Sequence, residues 1–482
     1  MNTRNLTLLT DLYELTMMQG YFETQENETV IFDVFFRNNP NNGGYSIMAG
    51  LDQVINYIKN LNFSYEDVDY LRGLGIFSED FLHYLSGFHF SGDIYAIREG
   101  SVIFPKEPLL KIVAPIMEAQ LVETAILNII NHQCLIATKA SRVVYAAQGD
   151  GIMEFGLRRA QGPDAGLYGA RAAMIGGCVG TSNVLAGQMF DVPVMGTHAH
   201  SWIMSFKDEY TAFKEYARLY PNACTLLVDT YDTLKSGVPN AIRVFTEMRD
   251  AGIHPKSYGI RLDSGDLAYL SKKARKMLDE AGFTDAVIAA SNDLDEFLIN
   301  DLKIQGAKIG SWGVGTNLIT SKDCPSFGGV YKLSAIQNND GEFIPKIKIS
   351  ENVEKITNPG DKTIYRVYDK ETGKIRADLI CFADETWNEE DELLLFDPNA
   401  TWKKTRLPGG SYTMKEILLP IFKHGECIYE SPSVMEIAQF CKEEKETLWD
   451  ETKRLFNPHG VYVDLSRSLY DTKNRLLDDM SK

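Results

Sequence analysis

Histidine and cysteine are scarce in this chain of 482 residues, and several classes of protein fall away on what is missing. The seven cysteines are scattered, odd in number and never spaced Cys-x-x-Cys. That argues against a disulfide framework and against a zinc knuckle. No apolar run approaches membrane-spanning length, and MNTRNLTLLTDLYELT at the start lacks the apolar core of a secretory signal. The expectation is a cytoplasmic protein with no membrane partner. An excess of positive charge is also absent. The net charge is −17, with 49 Lys and Arg against 66 Asp and Glu, so no nucleic-acid surface is expected. No linker rich in Pro, Gly or Ser separates one part of the chain from another, which predicts closely packed domains.

What is present is a rhythm. Short apolar runs alternate with longer amphipathic ones from about residue 151 to 317. They run GIMEFGLRRAQ, GTSNVLAG, PVMGTHAHSW, TLLVDTYD, SYGIRLDSGD, VIAASND and AKIGSWGVGTN, with helical stretches between them that mostly stop at Gly. This pattern predicts βαβ units and a parallel sheet. Polar residues recur where each strand meets its loop, which favours a β/α barrel with its chemistry at the carboxyl ends of the strands. Six or seven units fall short of eight, so the barrel is expected to be irregular. PVMGT at 193–197 is read as one of its strands. Residues 1–140 read as a separate α+β stretch, with a helix at 10–22, a strand at 29–37 and two helices joined near Asn131. Residues 338–482 mix short strands with an acidic helical end, leaving 141–337 as the barrel.

Two strand ends stand out. GTHAHSW holds two of the eight histidines, and GIRLDSGD holds Arg261, Asp263 and Asp266 within six residues. His-x-His at a barrel strand end could serve a metal-dependent hydrolase. Such sites draw further ligands from later strands, and the remaining histidines fall at none of them. The other reading makes one histidine a nucleophile or phosphate acceptor. Asp263, Ser264 and Asp266 could simply cap a helix, but capping does not account for Arg261 inside a strand. SWGVGTN is a weak signal alone. At a late barrel strand its backbone amides and Thr316 would suit a phosphate. SND at 291–293 reads as an ordinary helix cap. Arg158 and Arg159 are local cations in an acidic chain, which suits a small anionic ligand.

Taken together, TDLYELTM, FFRNNPNNGGY, EFGLRRAQGPDAG, GTSNVLAG, GTHAHSW, RLDSGDLAYLS and GVGTNLIT resemble the blocks of the nicotinate phosphoribosyltransferase family, in that family's order and across most of the chain. The resemblance implies an α/β fold in three parts. These are an N-terminal α/β sandwich at 1–140, an irregular TIM-like β/α barrel at 141–337 and a C-terminal α+β extension at 338–482. It implies nicotinate and phosphoribosyl pyrophosphate as substrates, ATP as co-substrate, Mg²⁺, and a homodimer with shared sites. His200, rather than His198, matches the phosphate acceptor. Tyr13 and Phe155 match the aromatic walls for the pyridine ring. Arg158 and Arg261 match the cations, with Thr197 on the nicotinate. Asp263 matches a ribose-hydroxyl contact, with Asn292 nearby. Gly313, Gly315 and Thr316 match the phosphate cradle, and Arg37 a pyrophosphate contact. A nicotinamide-specific sibling is the nearest rival. There an acid suited to an amide occupies the position of Ser182, and a serine would not repel a carboxylate. Two further rivals are a metal-dependent hydrolase and a non-catalytic scaffold.

Overall fold

The computed structural model describes residues 5–24, 26–351 and 355–480. The chain forms two compact units, residues 136–325 and the two stretches 1–135 and 326–482 together. Three successive parts are expected from the sequence; by compactness the first and last gather into one.

The unit 136–325 is built on six strands: β1 Gly151–Glu154, β2 Gly180–Thr181, β3 Ala223–Leu227, β4 Ser257–Leu262, β5 Val287–Ala290 and β6 Ser311–Val314. Every neighbouring pair is parallel, in the order β2-β1-β6-β5-β4-β3. That is the circular order of a barrel, interrupted between β2 and β3. Among the described residues the curled sheet does not close. The expected strand at 193–197 is reduced to one bridge between Thr181 and Val194. Thr181 donates to Pro193 O at 3.0 Å and Met195 donates to Thr181 O at 2.9 Å. Pro193 has no N–H with which to extend a ladder, so the segment touches β2 and leaves it.

Between strands run the helices Pro163–Gly176, Val184–Phe190, Glu209–Leu219, Val238–Asp250, Leu267–Glu280 and Glu296–Ile304. Asn183, Asp208, Asp266 and Asp295 cap four of them by accepting a backbone N–H. The cap after β5 is therefore Asp295 and not the expected SND. Asn292 and Asp293 instead adopt φ of 93° and 41°. Such left-handed backbone is uncommon outside glycine and collects at functional sites.

One ion-pair cluster ties helices of this unit together. Glu296 is fully buried, with Lys139 Nζ at 2.7 Å and Arg142 Nε at 2.9 Å. Glu296→Ala would remove the buried carboxylate that two buried cations share, leaving Lys139 only its second partner, Asp323 at 2.7 Å, at a cost of about 3 kcal/mol. A matching fall in unfolding free energy is the expected outcome in urea denaturation. A change below about 1 kcal/mol would contradict this account.

The other unit carries a seven-stranded antiparallel sheet in the order Phe343–Pro345, Gly329–Gln337, Thr29–Phe36, Leu110–Pro115, Asp93–Ile97, Leu418–Lys423, Glu426–Cys427. Strands from both ends of the sequence thus share one ladder, and Leu418–Lys423 covers the edge left by Asp93–Ile97. Phe32, Val34 and Phe36 alternate into one apolar core with Ile94, Leu110 and Ile112. A second sheet orders Tyr412–Glu416, Lys362–Asp369, Ile375–Phe382 and Tyr462–Leu465. The helical hairpin expected near Asn131 is absent. The helix Glu123–Ala146 runs straight through that residue, and the break falls at Val122, after the short helix Ile116–Leu121. The Asn131 side chain accepts from Gly329 N at 3.0 Å and so does not interrupt its own helix. The seven cysteines are all thiols. No described helix is long and apolar enough to cross a membrane.

Candidate active site

The carboxyl ends of the six strands open into two adjoining hollows of the unit 136–325. One, of about 400 Å³, is lined by His200, Asp263, Asn292, Gly313, Gly315 and Thr316 among others. The second, of about 360 Å³, is lined by Ser182, Thr197, His198 and Leu157. Phe155, Arg158 and Arg261 belong to both. Eleven of the thirteen residues singled out from the sequence therefore meet here, brought together from loops that span residues 155 to 316.

Each is placed by its own strand end. Glu154, the last residue of β1, is fully buried and turns back to accept from the Thr181 hydroxyl at 2.6 Å and from Gly156 N. Burial raises its carboxyl above the usual range. This anchors the turn on which Phe155 and the exposed Arg158 stand. A Cβ on Gly313 would lie 2.7 Å from the Phe155 ring. The first glycine of SWGVGTN therefore makes room for an aromatic ring, whatever else it cradles. Asn183 caps the helix after β2, and Ser182 is left at the mouth of the smaller hollow.

Arg261 is the centre of the arrangement. Its guanidinium donates to the Thr197 hydroxyl and, at 3.1 Å, to His198 O. Its Nε is buried with no hydrogen-bond partner. Burial lowers its affinity for the proton, while Asp263 and Asp229 raise it. At a guanidinium this leaves a full positive charge, held in a partly dry setting. No carboxylate pairs with Arg158 among the described residues.

The two histidines do different things. His198 is buried, its Nε2 accepts from Leu227 N at 3.3 Å, and its ring meets Tyr216 edge-on at 4.6 Å. Burial pulls its pKa down to about 4, so it is a neutral packing residue at any ordinary pH. His200 begins the short helix His200–Met204 and faces the larger hollow. Its Nδ1 lies 3.1 Å from the Thr230 hydroxyl and its Nε2 3.7 Å from Asp263. With His198 turned to a backbone amide, the pair does not present two nitrogens to one ion. Among the described residues no three His, Cys, Asp or Glu side chains stand together as a metal site.

Sequence reasoning missed the supports. Asp229 accepts from Asp263 N at 2.8 Å and from the Ser264 hydroxyl at 2.7 Å, fixing the RLDSGD turn. Ser291 donates to Asp263, and Thr230 holds His200. Asp229 and Thr230 sit in TLLVDTYD, whose acidic and hydroxyl ending was the only signal. Asp266 takes the capping role, and so Asp263 is free to face the hollow.

Family models place this architecture. The N-terminal domain of nicotinate phosphoribosyltransferase matches residues 8–131, the family model matches 151–372 and the C-terminal domain matches 361–473. A Bacillus subtilis nicotinate phosphoribosyltransferase is 46% identical over 99% of this chain and 96% of its own length. The chain belongs to the nicotinate phosphoribosyltransferase family. The likeness extends to a Caenorhabditis elegans nicotinate phosphoribosyltransferase, 36% identical over 96% of this chain and 92% of that protein. The crystal structure of human nicotinic acid phosphoribosyltransferase aligns with a TM-score of 0.83 at 28% identity, covering 97% of this chain and 99% of that one.

Two of the residues matched to the phosphoribosyltransferase blocks lie in the other unit. Tyr13 stands on the helix Leu12–Thr24, where Glu14, Leu15 and Met18 are buried. Tyr13 itself is 46% exposed. Arg37 follows the strand Thr29–Phe36, and its Nε is buried without a partner.

Proposed function

We propose that this protein transfers the phosphoribosyl group of phosphoribosyl pyrophosphate to nicotinate, giving nicotinate mononucleotide and pyrophosphate for NAD salvage. The carrying observation is the pair of hollows that share Arg158, Arg261 and Phe155. The smaller one suits nicotinate. Phe155 offers a ring face, Arg158 and Arg261 offer charge to the carboxylate, and Ser182 brings no competing acid. The larger suits the ribosyl phosphate. Asp263 and Asn292 would take ribose hydroxyls, with Gly313, Gly315 and Thr316 at the 5-phosphate.

The chemistry asks little of a base. The pyridine nitrogen carries its own lone pair at neutral pH. It attacks C1 of the ribose as the bond from C1 to the pyrophosphate oxygen breaks, and the electron pair leaves with pyrophosphate. The enzyme must align two anions and tolerate positive charge building at C1, so positioning and electrostatics dominate. Asp263, 3.7 Å from His200, is a carboxylate placed to face that charge. Asp263 and Asp293, both lining the larger hollow, are hard oxygen donors that fit Mg²⁺, which when bound would neutralise the pyrophosphate.

His200 is the proposed phosphate acceptor for ATP coupling. Thr230 fixes the ring by one nitrogen and leaves the other toward the hollow. The decisive experiment is turnover: nicotinate, phosphoribosyl pyrophosphate and Mg²⁺, with and without ATP, followed for the mononucleotide. No product with either mixture would overturn the reading. A cytoplasmic location is part of the same proposal.

Family membership also supports a homodimer in which Tyr13 and Arg37 of one copy complete the other copy's site. Mixing Tyr13→Ala and His200→Ala proteins should then restore ATP-dependent activity to about a quarter of wild type, because half the dimers are mixed and each keeps one intact site. Subunit exchange without recovery would remove the shared site.

A further inference from the structure

The unit formed by residues 1–135 and 326–482 contains a cavity of about 260 Å³ with an unusual lining for an acidic protein: Lys106, Lys332, Lys362 and Lys473 against one carboxylate, Asp33. Neighbouring strands build its floor. Phe32 and Val34 turn into the apolar core, so Asp33 and Phe35 face the other way. Asp33 stands directly opposite Lys332 in the antiparallel register. Lys362 is only 2% exposed and lies 2.8 Å from Asp33. Lys473, on the helix Arg467–Met480, donates to Asn358 Oδ1 at 2.8 Å and, among the described residues, pairs with no carboxylate. Burial, Lys106 and Lys362 together push its ammonium down to about 8. The remaining wall is apolar, with Phe35, Tyr470 and Leu465.

Amines gathered in a partly buried cavity repel one another and cost stability unless something anionic offsets them. Within the lining Asp33 pairs with the buried Lys362, while Lys332 donates to Tyr331 O and feels the Glu123 charge from outside the cavity; Asp33 Oδ1 has no hydrogen-bond partner. We propose that this cavity binds a small organic phosphate. Lys106 and Lys332 would take the phosphate, the apolar wall would take a flat ring with Lys473 beside it, and Asp33 Oδ1 would accept from a ring hydroxyl. The cavity shares no lining residue with the two hollows above, and the inference does not depend on the activity proposed for them.

Pyridoxal 5′-phosphate is a suitable probe on the full-length protein at pH 8. Its aldehyde carbon condenses with a neutral lysine amine and releases water. Borohydride then delivers hydride to the imine carbon and solvent a proton to nitrogen, leaving a stable secondary amine that peptide mass spectrometry can place. Lys473 should be labelled at concentrations about tenfold below those needed for exposed lysines. Phenyl phosphate should protect it and benzyl alcohol should not. Lys106→Gln keeps Lys473 but should raise the concentration for half-labelling about tenfold, the loss of one charge-assisted contact. Labelling that follows exposure alone would overturn the proposal. So would a labelled Lys473 that phenyl phosphate fails to protect, or a Lys106→Gln protein that labels as the parent does while its thermal unfolding is unchanged.

Discussion

Arg261→Gln is expected to lower kcat/KM for nicotinate by about 100- to 1,000-fold, or roughly 3–4 kcal/mol of transition-state stabilisation. The guanidinium is held by the Thr197 hydroxyl and by His198 O. It is therefore oriented before any ligand arrives. A carboxylate meeting it exchanges water for a fixed charge, and glutamine offers only a dipole. Nicotinamide carries no charge to match, so its kcat/KM should change by less than about tenfold. The preference for nicotinate should then collapse. The measurement is kcat/KM for both bases on parent and variant. Equal losses on the two would mean that Arg261 supports the fold of the site and does not read the carboxylate.

His200→Ala is expected to abolish both ATP hydrolysis and the stimulation of transfer by ATP, leaving a slow ATP-independent reaction. His198→Ala should behave differently. His198 is buried against Tyr216 and is engaged by Leu227 N, so its loss leaves a gap and an unpaired amide, at about 1–3 kcal/mol of stability. ATP stimulation should survive in whatever protein remains folded. Trapping acid-labile phosphate on the two variants separates them. Label retained by His200→Ala and lost from His198→Ala would reverse the assignment.

The contrast between the two histidines shows where the sequence stops. Both stand in one Gly-Thr-x-Ala-x block with equal chemistry, and the resemblance to a family favoured His200. The geometry separates them without assigning that role: one ring is spent on a backbone amide and the other lines the larger hollow. RLDSGD shows the same limit. Three of its residues are sound helix caps, and only the backbone path reveals that Asp266 is the cap, while Asp263 is held by Ser291 and Asp229 to face the hollow. Asp229, Thr230 and Glu154 carry no distinctive motif. They act by orienting other groups, and orientation leaves no pattern in a single chain.

The sequence by itself determined the parallel β/α rhythm, the strand ends that carry polar groups, and the free state of the seven cysteines. Each of these follows from local periodicity, turn chemistry or composition, which neighbouring residues are enough to encode. It also determined the family, through seven blocks kept in order. Tertiary structure alone decided the rest. It joined strands from both ends of the chain in one antiparallel sheet, ran a helix through Asn131, ended the sheet at one bridge beside Pro193, and gathered four lysines around Asp33. All of these depend on pairings between residues far apart in sequence, whose energies are set by partners that no local window contains.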